Sequence, residues 1–245
     1  MDFLVIGGGC YGSFYTRQLL RGSARLDFQK IHVVDKDPNC QVVRELGKTI
    51  FDPDSQVEFH FEDWKGFVGR YLEQQIQNYN QGLAVDDQYA PPCIAPHILF
   101  ELFLERAEKQ FPHIQFTPKN LEVPVGTPVD MSLPSGQRAL SFATWICPHS
   151  CIEPPTCPHT RGPKSWDMKE HLEAFWAKAD MRPDSVHYFQ CLHYAMGVGT
   201  IPILHIVEEY LKFESMLKKN PKSLFAVATV SSCHGLVGLM ESDHA

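Results

Sequence analysis

Met1 to Ile6 is a short apolar run, and it stops at Gly7-Gly8-Gly9-Cys10-Tyr11-Gly12. A helical segment follows over Ser13 to Arg21, and then a second apolar run, Ile31-His32-Val33-Val34, which ends on Asp35. The alternation continues. Asp37-Pro38 reads as a helix start, with an acidic N-cap and proline at the first helical position. Val42, Val43 and Leu46 share a face of that helix, Gly47 can end it, and Cys40 reads as a surface-helix position. Val57 to Phe61 has the pattern of a third strand. Trp64, Phe67, Val68, Tyr71, Leu72 and Ile76 recur at helical spacing, which predicts the next crossover helix. After a turn at Asn78 to Gly82, Leu83 to Ala90 reads as a weak fourth strand, and Leu99, Phe100, Phe103 and Leu104 mark a helix from Pro96 to about Gln110. Strands and helices in strict alternation predict an α/β fold with a doubly wound parallel sheet.

Near Gln110-Phe111-Pro112 the pattern changes to short strand-like pieces, Ile114 to Thr117 and Leu140 to Ile146, separated by proline, glycine and polar turns. We therefore expect one domain over 1–112 and an α+β extension or cap over 113–245. Within the second region Ser165 to Ala179 predicts a helix with Met168, Leu172, Phe175 and Trp176 inward. Val186 to Tyr194 predicts a strand with His187, Cys191 and His193 on one face, and Thr200 to Lys219 a strong helix stopped by Asn220-Pro221. Leu224 to Val230 is apolar at both faces, as a central strand is.

The glycine run carries the first chemical signal. Gly7, Gly9 and Gly12 have the spacing G-x-G-x-x-G between a strand and a helix, the context that gives the motif weight. Gly7 permits the tight turn, Gly9 lets the backbone approach a pyrophosphate, and Gly12 lets helix and strand pack closely while the helix N-terminus faces the phosphates. Asp35, at the end of the second strand, can accept hydrogen bonds from an adenosine ribose and would repel a 2′-phosphate, which favours NAD over NADP. The same turn also occurs in doubly wound proteins that bind nothing there.

Val5-Ile6-Gly7-Gly8-Gly9-x-x-Gly12 with Ile31-x-Val33-Val34-Asp35-Lys36-Asp37 resembles the Rossmann NAD-binding domains, and among them the potassium-conductance regulatory (TrkA-type) domains. The resemblance covers roughly the first 110 residues. It implies a Rossmann-like sheet and a dinucleotide cofactor, NAD in preference to FAD, held by Gly7, Gly9, Cys10, Tyr11, Gly12 and Asp35. It does not imply a reaction. In such sheets the loop after the fourth strand borders the cofactor, so Cys93 and His97 are the candidate catalytic residues. The plainer reading is a rigid proline-rich loop in which His97 bonds locally.

Composition narrows the partners. The formal net charge of -7 leaves no basic footprint for nucleic acid or an anionic membrane. No apolar run approaches the roughly 20 residues of a membrane span, and the start of the chain lacks an export signal. A cytoplasmic protein with a small-molecule substrate or a nucleotide effector is expected, and a homodimer is compatible with it.

Eight cysteines in such a compartment are expected to be reduced. Cys147, Cys151 and Cys157 fall within eleven residues of a proline-rich loop, 147–159, where rigid backbone can aim several thiolates at one point. The spacing is neither a ferredoxin run nor a C-x2-C zinc pair, so zinc, an iron–sulfur cluster, free thiols and thiol exchange all stay open. Cys233 is the first candidate for a fourth ligand, with His149, His159 and Cys191 behind it. Met196-Gly197-Val198-Gly199-Thr200 reads either as an anion-holding helix start or as an ordinary turn. The expectation is an NAD-binding oxidoreductase with a cysteine-ligated metal or iron–sulfur centre. The alternative is a nucleotide-sensing regulatory domain without turnover.

Overall fold

A computed structural model describes residues 1–244 apart from 48, 49, 51, 53, 86, 91–96, 149 and 196. The chain is α/β, and it divides into two compact units. One comprises Met1–Ile94 and Leu192–Val207, the other Ala95–Cys191 and Glu208–Ala245. Among the described residues no helix is long and apolar enough to cross a membrane.

The first unit is built on β1 (Phe3–Ile6), β2 (Ile31–Val34), β3 (Val57–His60) and β4 (Gln88–Ala90), which pair in parallel in the order β3-β2-β1-β4. Helices α1 (Cys10–Gly22), α2 (Gln41–Leu46) and α3 (Trp64–Asn80) are the crossovers. Tyr15 and Leu19 of α1 and Val42 of α2 pack with Ile31, Val33 and Val57, the odd-numbered positions of β2 and β3. Phe67 of α3 instead lies with its ring centroid 4.5 Å from that of His60, an even-numbered position. Helices thus serve both faces of the sheet. Asp63 caps α3 by accepting the Lys65 N–H at 3.0 Å. Asp37 does not cap α2: its carboxylate accepts the Asn39 N–H within the preceding turn, and Cys40 is the N-cap residue. Cys40 is buried, not on the surface.

The parallel order stops at β4. The strand expected over Val186 to Tyr194 is two strands, β8 (Ser185–Gln190) and β9 (Leu192–Ala195), in different sheets, so His187, Cys191 and His193 do not share one strand face. β9 turns directly into β10 (Val198–Pro202), which pairs antiparallel with both β9 and β4 and makes the first sheet mixed. A short hairpin can only return antiparallel. The strong helix, α6 (Ile203–Lys219), begins after it rather than at Thr200.

The second sheet has the order β6-β7-β12-β11-β8 with β5 also on β12, where β5 is Ile114–Lys119, β6 Val129–Ser132, β7 Arg138–Ser141, β11 Ser223–Val230 and β12 His234–His244. It too is mixed, since β11 is parallel to β8 and antiparallel to β12. Helix α5 (Met168–Trp176) is capped by Asp167, which accepts the Lys169 and Glu170 N–H groups. It buries Met168, Leu172 and Trp176 against Ala226, Ala228, Val230 and Val237. A further helix, α4 (Ile98–Gln110), places Phe103 against Phe189, Tyr210 and Phe213. Phe100 of α4 lies where a Cβ on Gly238 would stand, 2.5 Å away, so that strand position needs glycine.

Inside this aromatic cluster the His187 Nδ1 is 2.9 Å from Glu209 Oε2, both groups being largely shielded from water. Burial alone would raise the Glu209 pKa, but hydrogen bonds from His187 and Lys212 outweigh it and hold the carboxyl at about 2, below its ordinary 4.5. A carboxyl depressed on folding contributes stability that is fully present above pH 4.5 and is lost as pH falls toward 2. Glu209→Ala is expected to cost about 3 kcal/mol at neutral pH, the usual penalty for breaking a buried pair. Urea midpoints of wild type and Glu209→Ala should converge as the solution is acidified. A gap that stays constant with pH would show that the carboxylate gains nothing from the pair.

Candidate functional sites

The glycine loop is held by its own backbone. Gly7 has φ +90°, which its lack of a side chain permits, and its N–H bonds to the Val34 carbonyl at 2.8 Å. The Gly8 N–H donates to Asp35 Oδ2 at 2.6 Å, and the Asp37 N–H donates to Asp35 Oδ1 at 2.8 Å, so the carboxylate is fixed beside the loop. Gly8 O accepts the Val42 N–H, and a Cβ at Gly8 would stand 2.3 Å from the Cys40 sulfur. Gly12 is pressed on the turn: a Cβ there would be 1.7 Å from the Gly7 carbonyl oxygen. At Gly9 a Cβ would meet nothing within 4 Å. Gly9 is also the N-cap residue of α1, which has no side-chain cap and no acid in its first turn; the carboxylates at this end come from Asp35 on the loop and from Glu45, which accepts the Ser13 hydroxyl. Cys10 is exposed at the first helical position, and Tyr11 packs on the unit's core.

Cys93 lies outside the described residues. His97, the N-cap residue of α4 in the second unit, is 1% exposed. Its Nε2 is 2.9 Å from Thr229 Oγ1, and its Nδ1 has no hydrogen-bond partner among the described residues. Burial lowers its pKa to about 3, so the imidazole is neutral at physiological pH. Thr200 does not start a helix. It is a fully buried residue of β10 whose hydroxyl donates to Gln88 Oε1 at 3.2 Å.

The cysteine loop belongs wholly to the second unit. Cys157 opens a tight turn: its N–H bonds to the Gly162 carbonyl, its carbonyl accepts the Arg161 N–H, and Arg161 takes φ +56°. This curls the chain so that backbone N–H groups of Thr160 and His159, together with the Thr160 hydroxyl, point at the Cys157 sulfur and lower its pKa. Such bonds favour the thiolate, the form that binds metal. His159 stacks on Trp145 with ring centroids 4.5 Å apart. Cys151 accepts the Glu153 N–H at 3.3 Å.

Glu153 is the residue the sequence did not announce. At φ +50° it ties the loop to the β11–β12 turn, Oε1 accepting from the Ser231 hydroxyl at 2.6 Å and Oε2 from the Ser232 N–H at 2.8 Å. That turn carries Cys233, whose sulfur accepts the Trp166 indole N–H at 3.3 Å. The four thiols share one electrostatic neighbourhood. Burial raises the Cys147 pKa, and Cys151, Cys157 and Glu153 raise it further. Cys233 is pushed up to about 11 by burial foremost, with Glu153 and Cys147 adding to the rise. Thiols crowded in this way repel as thiolates, and a bound cation reverses that cost. No three of their sulfurs lie within 4.8 Å of one another among the described residues. Convergence on one ion therefore needs these sulfurs to move closer together. Cys191 lies between β8 and β9, and His149 lies outside the described residues.

Residues 97–243 match a family model described as AF_1314_C, "Uncharacterized protein, C-terminal domain". That span holds all four cysteines, Glu153 and Trp166, and excludes the Gly7–Gly12 loop. No curated protein and no solved structure matches the chain.

Proposed function

The chain belongs to the AF_1314_C family, and we propose that it binds a nicotinamide dinucleotide on the Gly7–Gly12 loop and works as an NAD-linked oxidoreductase whose second unit carries a cysteine-held metal. The observation that carries the nucleotide reading is the loop itself: Asp35 anchored to the Gly8 N–H, Gly12 pressed on Gly7, and open space beside Gly9 at an uncapped helix start. The parallel order β3-β2-β1-β4, with helices on both faces, supports the reading, because the first four strands of a Rossmann fold have the same order and the loop stands at the point where strand order reverses. Beyond β4 the sheet departs from that pattern with the antiparallel β10 and β9.

Each residue then has a task. The amides at the start of α1 take the pyrophosphate, Gly9 leaves it room, and Asp35 takes the ribose hydroxyls. The bound nicotinamide supplies hydride chemistry. In the second unit the thiolate-favouring bonds on Cys157, together with Cys147, Cys151 and Cys233, fit zinc or an iron–sulfur cluster, either of which takes four sulfur ligands. Trp166 and Glu153 would hold the ligands in place, as outer partners do.

Burial of His97 favours a second reading, a nucleotide sensor without turnover, because its imidazole is neutral and, among the described residues, shielded from solvent. Calorimetry decides the common part. NADH should bind more tightly than NADPH, and Asp35→Ala should weaken NADH by about 10-fold or more, a loss of about 1.4 kcal/mol, and reduce the discrimination. Equal wild-type affinities for the two would sink the assignment. Turnover separates the readings: an oxidoreductase consumes NADH with an acceptor, whereas a sensor returns it unchanged.

A further inference from the structure

The first unit holds a second group of ligand atoms, one strand over from Asp35, whose N–H bonds to the His60 carbonyl at 3.2 Å. β2 and β3 pair His32 with Glu58 and Val34 with His60, so in the parallel register His32, Glu58 and His60 project from one sheet face, opposite the buried Ile31, Val33 and Val57. The His32 Nδ1 is 3.0 Å from the His60 Nε2. Glu58 offers one oxygen to each ring, Oε2 at 3.7 Å from His32 Nδ1 and Oε1 at 3.8 Å from His60 Nε2. Ligands about 2.0–2.2 Å from a tetrahedral ion stand roughly 3.3–3.6 Å apart; the ring-to-ring separation lies just below that range and the two carboxylate separations, each to a different oxygen, just above it. Among the described residues this is the group of His, Cys, Asp and Glu ligand atoms lying within 4.8 Å of one another.

We propose that His32, Glu58 and His60 form a binding site for a borderline divalent transition metal such as zinc, cobalt or nickel. Two imidazoles and one carboxylate select such ions over magnesium or calcium, which prefer all-oxygen sets. For both nitrogens to act as ligands His32 must carry its proton on Nε2, and Asp2 Oδ2, 3.5 Å from that atom, is placed to favour this tautomer. Asp2 is itself held, with Oδ1 accepting the Lys30 N–H at 2.8 Å. The Phe67 ring lies tilted at 43° against His60 with centroids 4.5 Å apart and limits its motion, whereas the Glu58 side chain is half exposed and leaves the ion a coordination position toward water. β3 is the edge strand with β2 as its neighbour, so an ion across the two strands would pin the edge of the sheet. This proposal is independent of the dinucleotide and of the cysteine loop.

Metal-depleted full-length protein titrated with cobalt(II) tests it. Thiolate-to-cobalt charge-transfer absorption reports the cysteine loop, and equilibrium dialysis counts every bound ion. Wild type should take up one cobalt more than His60→Ala, with the charge-transfer band the same in both. Glu58→Gln, at a half-exposed position that should not disturb folding, should weaken the extra ion by about 10-fold or more, and Asp2→Asn by about 10-fold. Cobalt should raise the melting temperature of wild type more than that of Glu58→Gln. Equal stoichiometry and affinity in wild type, Glu58→Gln and a His32→Ala/His60→Ala double variant would overturn the site. The His32–His60 contact would then be a hydrogen bond between the two rings and nothing more.

Discussion

Gly12→Ala is expected to destabilise the protein by about 3 kcal/mol or more and to abolish NADH binding, while Gly9→Val abolishes binding at a stability cost of only about 1 kcal/mol, that of a poor N-cap residue. Both glycines belong to one motif, but they meet different surroundings. A methyl group at Gly12 falls 1.7 Å from the Gly7 carbonyl oxygen, and that oxygen is backbone, so helix and turn must separate. Overpacking of this kind typically costs about 1–3 kcal/mol when side chains can give, and more when they cannot. A side chain at Gly9 meets nothing of the protein within 4 Å and would fill the space the pyrophosphate needs. Chemical denaturation and calorimetry on the two variants check this together. If Gly9→Val keeps wild-type affinity for NADH, the loop is a packing turn and not a phosphate cradle.

The second large effect is expected at the cysteine loop. Cys157→Ser and Cys233→Ser should each lose most of the bound metal and melt near the temperature of metal-depleted wild type. Structural metal sites supply on the order of 10 kcal/mol of apparent binding energy, and that energy is available only to the folded arrangement of ligands. Cys40→Ser makes a sharp comparison. Its thiol is buried against Gly8, so serine there should lower stability while metal content stays at the wild-type level. Glu153→Ala should fall between, because it keeps all four sulfurs but removes the carboxylate that ties the loop to the Ser231 hydroxyl and the Ser232 N–H. Anaerobically purified protein with neither zinc nor iron, and with all eight thiols titrating freely, would remove the site.

Chemistry that depends on neighbours in sequence was legible. The strand-glycine-helix order, Asp35 after β2, the helical face Val68-Leu72-Ile76 and the buried run in β11 all follow from local periodicity and from the conformations glycine alone tolerates, and each element stands where that pattern places it. The thiol cluster of the 147–159 loop was legible as composition. Its geometry was not, because Glu153 becomes a strap only through Ser231 and Ser232, 78 and 79 residues away.

Pairing decided the rest. β12 contains Gly235 and Gly238 and ends in charged residues, and no strand is expected there from periodicity. It is a long strand because Phe100 and Met168 fill the space beside its glycines, and because β5, β7 and β11 all hydrogen-bond to it. His32, Glu58 and His60 carry no spacing signal, since a parallel register, not the chain, brings them together. Thr200 to Pro202 would suit a helix start as well as a strand, and the antiparallel ladder to Gln88 and Tyr89 makes the choice. Periodicity fixes which faces of the chain avoid water. Which strand satisfies which backbone hydrogen bonds is settled only when distant segments meet, because the energy of a ladder belongs to both of its strands.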